Sequence, residues 1–153
     1  MTVTIDTLVS DDLVILDLEA VDKAATIDAL ADRLVAAGRV TDRTQFVDAV
    51  MARELETGGT GMESGVAIPH TKNASVTEPT VAVARVPKGV DFGADDAPAD
   101  LVFLIAAPAG ADDAHITILS KLARRLIHES FRTSLREAES PAAVVTILKG
   151  ELQ

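Results

Sequence analysis

The chain has 153 residues, with 24 Asp and Glu against 14 Lys and Arg for a formal charge of −10, and it has no cysteine. At this length one core buries about 68–70% of the unfolded chain's surface without disulfides or a structural metal, so a single domain over residues 1–153 is expected. The acid excess and the lack of Trp and Tyr argue against nucleic acid or anionic membranes as partners, and the missing thiols exclude cysteine chemistry and suit a cytoplasmic setting.

Asp6, Asp11 and Asp12 precede the first basic residue, Lys23, the reverse of a targeting peptide. Leu13-Val14-Ile15-Leu16 reads as a short strand. Asp22 is placed to cap a helix to about Ala37, with Ile27, Leu30 and Leu34 on one face and Gly38 as its stop. A second helix follows Thr41; Phe46, Val47, Val50 and Met51 form its apolar stripe, and Gly58-Gly59 breaks it. Val66-Ala67-Ile68 is a short strand ended by Pro69, and Thr80 to Val86 is a β-branched strand closed by Pro87-Lys88-Gly89. Leu101 to Ala107 is apolar on both faces and belongs in the centre of a sheet. Extended to Ala111, this run still falls short of the roughly 20 residues of a membrane helix, which predicts a soluble protein. Asp112 or Asp113 opens a long helix to about Glu129, and Ser140 with Pro141 opens the last, to about Lys149. This alternation predicts an α/β sandwich with a mixed sheet.

Three histidines carry the only side chains whose unperturbed charge changes near neutral pH. His70 follows Pro69, beyond a loop with Gly58, Gly59, Gly61 and Gly65, whose glycines allow another backbone or an anion to come close. On these facts it is either a turn histidine or a nucleophile. His115 stands in the first turn of its helix, within about 40° of the direction of Leu119, Leu122 and Leu126, either as a core histidine or beside an anion at the helix N-terminus. His128 falls on the face of Lys121 and Arg124 and reads as exposed and silent. Arg53 lies about 20° from Phe46 on the second helix. It is either a helix-end arginine paired with Glu54 or Glu56, or an anion clamp facing the loop that leads to His70. No P-loop, H-E-x-x-H, G-x-S-x-G or G-x-G-x-x-G is present. Two inward histidines, an arginine and a glycine loop suit transient phosphorylation of imidazole, although a His70–His115 metal site stays open as an alternative.

Arg53-Glu54, Thr60-Gly61 and Gly65-Val66-Ala67-Ile68-Pro69-His70 together resemble the signature of the fructose/mannitol-type enzyme IIA domains of the bacterial phosphoenolpyruvate-dependent sugar phosphotransferase system. Val90-Asp91-Phe92-Gly93, Leu101 to Pro108, and Asp113-Ala114-His115 through Leu119 and Leu122 follow the same family in order and spacing, so the resemblance spans about residues 10–150. The approach Ala107-Pro108-Ala109-Gly110-Ala111 looks most like the fructose branch. One departure is Glu63, where many members have glycine.

The resemblance implies an α/β sandwich, a mixed sheet of about five strands flanked by helices on both faces. It also implies that His70 receives a phosphoryl group from HPr or an HPr-like domain and passes it to a cysteine of enzyme IIB, which works with a membrane enzyme IIC in sugar uptake. His115 would lie beside His70 and Arg53 would contact the phosphoryl, with Thr60, Gly61, Gly65 and Pro69 supporting the loop. Neither cofactor nor metal is implied. A regulatory enzyme IIA of the nitrogen type, or one linked to a transcription regulator, is the alternative within the family.

Overall fold

The computed structural model of the protein describes residues 8–62, 64–94, 97–110 and 114–152, and for 114–119 and 151–152 the backbone alone. Helix α1, Lys23–Ala36, begins where the Asp22 side chain accepts from the Ala25 N–H at 2.8 Å, and the chain turns at Gly38 with φ 75°. Helix α2, Arg43–Thr57, is capped in the same way by Asp42 on the Gln45 N–H at 3.0 Å. Each cap satisfies a donor that the first helical turn leaves unpaired. Arg43 then reaches back to Asp32 at 2.7 Å and Asp28 at 3.4 Å, tying α2 to α1.

Six strands lie on five lines of one mixed sheet: β1 Val14–Ile15, β2 Gly61–Met62, β3 Val66–Ala67, β4 His70–Asn73, β5 Thr80–Val90 and β6 Ala99–Pro108. Their order is β1-β5-β6-β3-β2, and β4 also pairs with β6. Strands β3 and β4 share a line because their register on β6 is continuous, with Val66 opposite Leu101 and His70 opposite Ile105, both parallel. The β5–β6 pair is antiparallel and forms the centre, as the two-sided apolar run predicts.

Helices α3 (Ala114–Leu126), α4 (Glu129–Glu137) and α5 (Pro141–Leu152) follow. Alternation along β6 divides the core between the two faces. Val102, Leu104 and Ala106 pack with Ile27, Leu30, Leu34, Phe46 and Val50 of α1 and α2. Leu101, Phe103 and Ile105 pack with Leu122, Leu126, Phe131, Leu135, Val144, Val145 and Leu148 of α3 to α5. Each buried aliphatic or Phe side chain stabilises by about 1.5–3 kcal/mol relative to leaving it exposed, and both layers draw on β6. The α/β sandwich with helices on both faces is therefore the observed fold.

Three local expectations are extended or corrected. The strand before Pro69 does end, at Ala67, but the same line of the sheet resumes beyond the proline at His70. Strand β5 does not close at Pro87 but runs to Val90 through a register shift between Arg85 and Val90, where a residue with no N–H suspends the ladder. The long helix expected to reach Glu129 ends at Leu126, because Arg132 of the next helix donates to the carbonyls of Leu126 at 2.7 Å and Ile127 at 2.8 Å and so caps α3 from outside. The last helix does begin at Pro141, with the Ser140 hydroxyl accepting from the Ala143 N–H at 3.1 Å.

Candidate active site

His70 is the first residue of β4, half-buried, and its position is fixed from both sides. Pro69 is buried, and its carbonyl accepts from the Ile105 N–H at 2.9 Å, which keeps the strand line on β6 through the interruption. The Ile68 N–H turns away from β6 and donates to the Thr60 carbonyl at 3.2 Å. His70 stands opposite Ile105, a core residue of the α3 to α5 layer, so its side chain belongs to that face of the sheet. The ring Nδ1 lies 2.8 Å from the Ile68 carbonyl oxygen. A carbonyl can only accept, so in the neutral ring Nδ1 carries the proton and Nε2 keeps the lone pair. In that form the ring leaves Nε2 as its acceptor nitrogen.

The loop before this strand is built by close approach of two backbones. Gly58 ends α2 with φ 78°, and Gly59 follows at φ 114°. A Cβ on Gly59 would sit 2.0 Å from the Phe92 carbonyl oxygen, which itself accepts from the Gly61 N–H at 2.9 Å. The glycine segment thus receives the backbone of Phe92 and Gly93. Gly65, at φ 79°, passes the Asp100–Arg136 pair, where a Cβ would meet the carboxylate at 2.8 Å and the guanidinium at 2.9 Å. That pair is bidentate, with Nε to Oδ2 at 2.9 Å and Nη2 to Oδ1 at 2.8 Å, and Arg136 also donates to the Ser64 carbonyl. It anchors the turn between β2 and β3 to β6 and α4.

Arg53 is exposed, and the inward residue at this end of α2 is its neighbour Glu54, 2% exposed. The reason is the width of the apolar stripe. Phe46, Val47, Val50 and Met51 centre it about 70° from the direction of Phe46 on the side away from Arg53, which leaves Arg53 at the margin and brings Glu54 under it. The alternative pairing with Glu54 is also not what forms: Glu54 Oε1 lies 3.3 Å from Lys23 Nζ and accepts from the Thr60 N–H at 3.3 Å. Lys23 in turn lies 5.7 Å from the centroid of the Phe92 ring. From the sequence, Glu54 enters as part of the Arg53-Glu54 motif and as a partner for Arg53, and not as an inward residue. The signal that could have found it is its i, i+4, i+8 alignment with Phe46 and Val50.

His115 is the second residue of α3, in its first turn as expected, while its side chain lies outside the described residues, as do Glu63 and the cap candidates Asp112 and Asp113. His128 is exposed, as read, but it precedes α4 as the N-cap residue rather than continuing α3, and its side chain makes no capping bond. An open pocket of about 200 Å³ lies at the α3–α4 junction, lined among the described residues by Met62, Ser64, Leu126, Ile127 and Arg132. Among the described residues no group of three or more His, Asp or Glu is arranged to hold a metal ion, and no helix is long and apolar enough to cross a membrane.

Residues 7–151 match the family model described as phosphoenolpyruvate-dependent sugar phosphotransferase system, EIIA 2. The chain is 45% identical over 145 residues to the fructose-specific EIIA component of the phosphotransferase system of Haloferax volcanii, covering 94% of each. It is 41% identical over 134 residues to the fructose-specific EIIABC component of Bacillus subtilis, covering 87% of this chain but 21% of that longer protein. Among solved structures, the nitrogen regulatory protein IIA-Ntr of Neisseria meningitidis superposes with a TM-score of 0.85 at 32% identity, over 94% of this chain and 97% of that one. Enzyme IIA for mannitol, in its complex with phosphorylated enzyme IIB from Escherichia coli, superposes with a TM-score of 0.78 at 27% identity, over 93% and 97%. The chain belongs to the EIIA 2 family of the phosphoenolpyruvate-dependent sugar phosphotransferase system, whose members are phosphotransferases acting through phosphohistidine.

Proposed function

We propose that residues 1–153 act as one enzyme IIA unit in which His70 Nε2 takes a phosphoryl group from phospho-HPr, or an HPr-like domain, and passes it to a cysteine of enzyme IIB in the uptake of fructose. The observation that carries this reading is the 2.8 Å contact from His70 Nδ1 to the Ile68 carbonyl, which leaves the lone pair on Nε2. In the first step the Nε2–P bond forms as the N–P bond of the donor histidine breaks, and the donor imidazole leaves with the electron pair. In the second step a thiolate of enzyme IIB attacks phosphorus, the S–P bond forms as the Nε2–P bond breaks, and the His70 imidazole leaves with the electron pair, regenerated. The proton stays on Nδ1 throughout, hydrogen-bonded to the Ile68 carbonyl, whose oxygen offsets the positive charge of the phosphorylated ring.

The supporting roles follow from position. Arg53, exposed on a helix that packs beside β4, is free of a buried ion pair and suited to meet phosphoryl oxygens at the surface. His115, in the first turn of α3, stands where helix N–H groups favour an anion. Thr60, Gly61, Gly65 and Pro69 set the loop and strand line that present His70. The reading places the protein in the cytoplasm with HPr, and enzyme IIB beside a membrane enzyme IIC. The fructose assignment rests on the Haloferax and Bacillus relatives. A regulatory role is the second reading, favoured by the close superposition on the nitrogen regulatory protein.

Incubation with a relay charged from phosphoenolpyruvate, followed by tandem mass spectrometry at alkaline pH, tests the site. The expected result is one acid-labile phosphoryl group on His70 and none in His70→Ala, whereas stoichiometric label on His115 or His128 overturns it. Adding fructose-type enzyme IIB separates the two roles: the label drains to a thiol for a transport component and stays on His70 for a regulator.

A further inference from the structure

The apolar stripe of α2 ends on a carboxylate. Glu54 is buried, yet both of its hydrogen-bonding contacts fall on one oxygen, to Lys23 and to the Thr60 N–H, each at 3.3 Å. Its other oxygen, Oε2, and the Thr60 hydroxyl are buried with no hydrogen-bond partner among the described residues. A buried carboxylate satisfied this poorly holds α2 to the core less well than an apolar side chain of similar volume would. Stability therefore does not account for Glu54, and its contacts lead toward the site. Thr60, held at its N–H by Glu54, accepts at its carbonyl from the Ile68 N–H at 3.2 Å, and the Ile68 carbonyl accepts from His70 Nδ1 at 2.8 Å. The line from Lys23 through Glu54, Thr60 and Ile68 to His70 is unbroken. At Thr60 and Ile68 it passes from the N–H of one peptide group to the carbonyl of the next, so it transmits position rather than charge.

We propose that Glu54, held by Lys23, is a positioning residue for phosphoryl transfer: it fixes Thr60, which fixes Ile68, whose carbonyl sets the tautomer and orientation of the His70 ring. This inference rests on the reading of His70 as the phosphoryl acceptor, and it makes a claim about the ring that can be read with no phosphoryl group present. Without the Glu54 acceptor the 58–61 loop loses its tie to α2, the Ile68 carbonyl shifts, and the ring exchanges its Nδ1–H form for a mixture with Nε2–H. The Nε2–H form has no lone pair at the nitrogen that must attack.

Glu54→Met keeps an apolar volume on the core and removes the acceptor, while Glu54→Gln keeps an acceptor for the Thr60 N–H. Imidazole ¹⁵N spectra of the unphosphorylated protein report the tautomer, and rapid-quench transfer from phospho-HPr separates the saturating rate from KM. For Glu54→Met the expected result is a folded protein with mixed tautomers, a saturating rate lower by about tenfold or more, and KM within about twofold of wild type. Glu54→Gln should restore the tautomer and bring the rate within about threefold. A folded Glu54→Met with wild-type tautomer overturns the proposal, as does one with wild-type rate. Should Glu54→Met not fold, the Gln variant decides alone: a wild-type tautomer and rate uphold the proposal, and a loss of either overturns it. If His70 were not the acceptor, wild-type protein would carry its label elsewhere, a failure visible by mass and distinct from any change in the ring.

Discussion

An imidazole can attack phosphorus only through the nitrogen that lacks a proton, so the partner of the other nitrogen decides which atom reacts. In His70 that partner is a backbone carbonyl, which cannot donate in its turn and therefore fixes one tautomer. Arg53 is a different kind of residue, because it is exposed in the free protein, and the role proposed for it begins only when a phosphoryl group arrives. Arg53→Ala is expected to slow transfer to His70 by roughly 10- to 150-fold, the equivalent of the about 1.5–3 kcal/mol of a hydrogen bond to a charged group. Its thermal midpoint should barely move, since exposed substitutions away from caps and cores usually stay within about ±0.5 kcal/mol. Rapid-quench rates beside a thermal melt check both halves, and an unchanged rate would leave Arg53 as a solvent-facing helix-end residue.

At the scale of elements, glycine separates two kinds of constraint. Gly38 has φ 75° with nothing within 4 Å of an added Cβ, whereas Gly59 has φ 114° and the Phe92 carbonyl 2.0 Å away. Gly38→Ala should cost about 1–2 kcal/mol, the left-handed penalty alone, and lower the midpoint by about 2–4 °C for each kcal/mol. Gly59→Ala should cost clearly more, because two backbones must part; equal shifts for the two variants in parallel melts would show that the Phe92 contact yields freely. These glycines, the Asp22 and Ser140 caps and the two-sided apolar β6 were legible because each leaves a local signature. Strand β4 was not, since His-Thr-Lys-Asn has no alternation and owes its pairing to the register set by Val66 and Ala67 on β6. Nor was the break after Leu126, which depends on a guanidinium from the following helix. At the site, the sequence pointed to His70 and the loop, while Arg53 and Glu54 were exchanged as outward and inward residues because one helical direction stood in for the whole stripe.

At the scale of the molecule, a formal charge of −10 is spread over a chain whose proposed task is to meet two proteins in turn. Arg43, Arg85 and Arg136 are engaged within the fold, with Asp28 and Asp32, with Asp17, and with Asp100, so much of the positive charge is already offset locally. The field at a distance is therefore acidic. Such a field steers a partner with a basic rim, raising the rate of encounter more than the strength of the final complex. On the proposed mechanism the chemical step behaves otherwise, because the groups at the half-buried His70 would touch the phosphoryl directly and be screened far less than charges separated by more than the roughly 8–10 Å Debye length. Raising the salt should accordingly lower kcat/KM for transfer from phospho-HPr steeply while leaving the saturating rate nearly constant. Stopped-flow or rapid-quench titrations of HPr at several ionic strengths read both quantities. A kcat/KM that does not change with salt would mean that the partner docks on a neutral face and that the acid excess serves solubility alone.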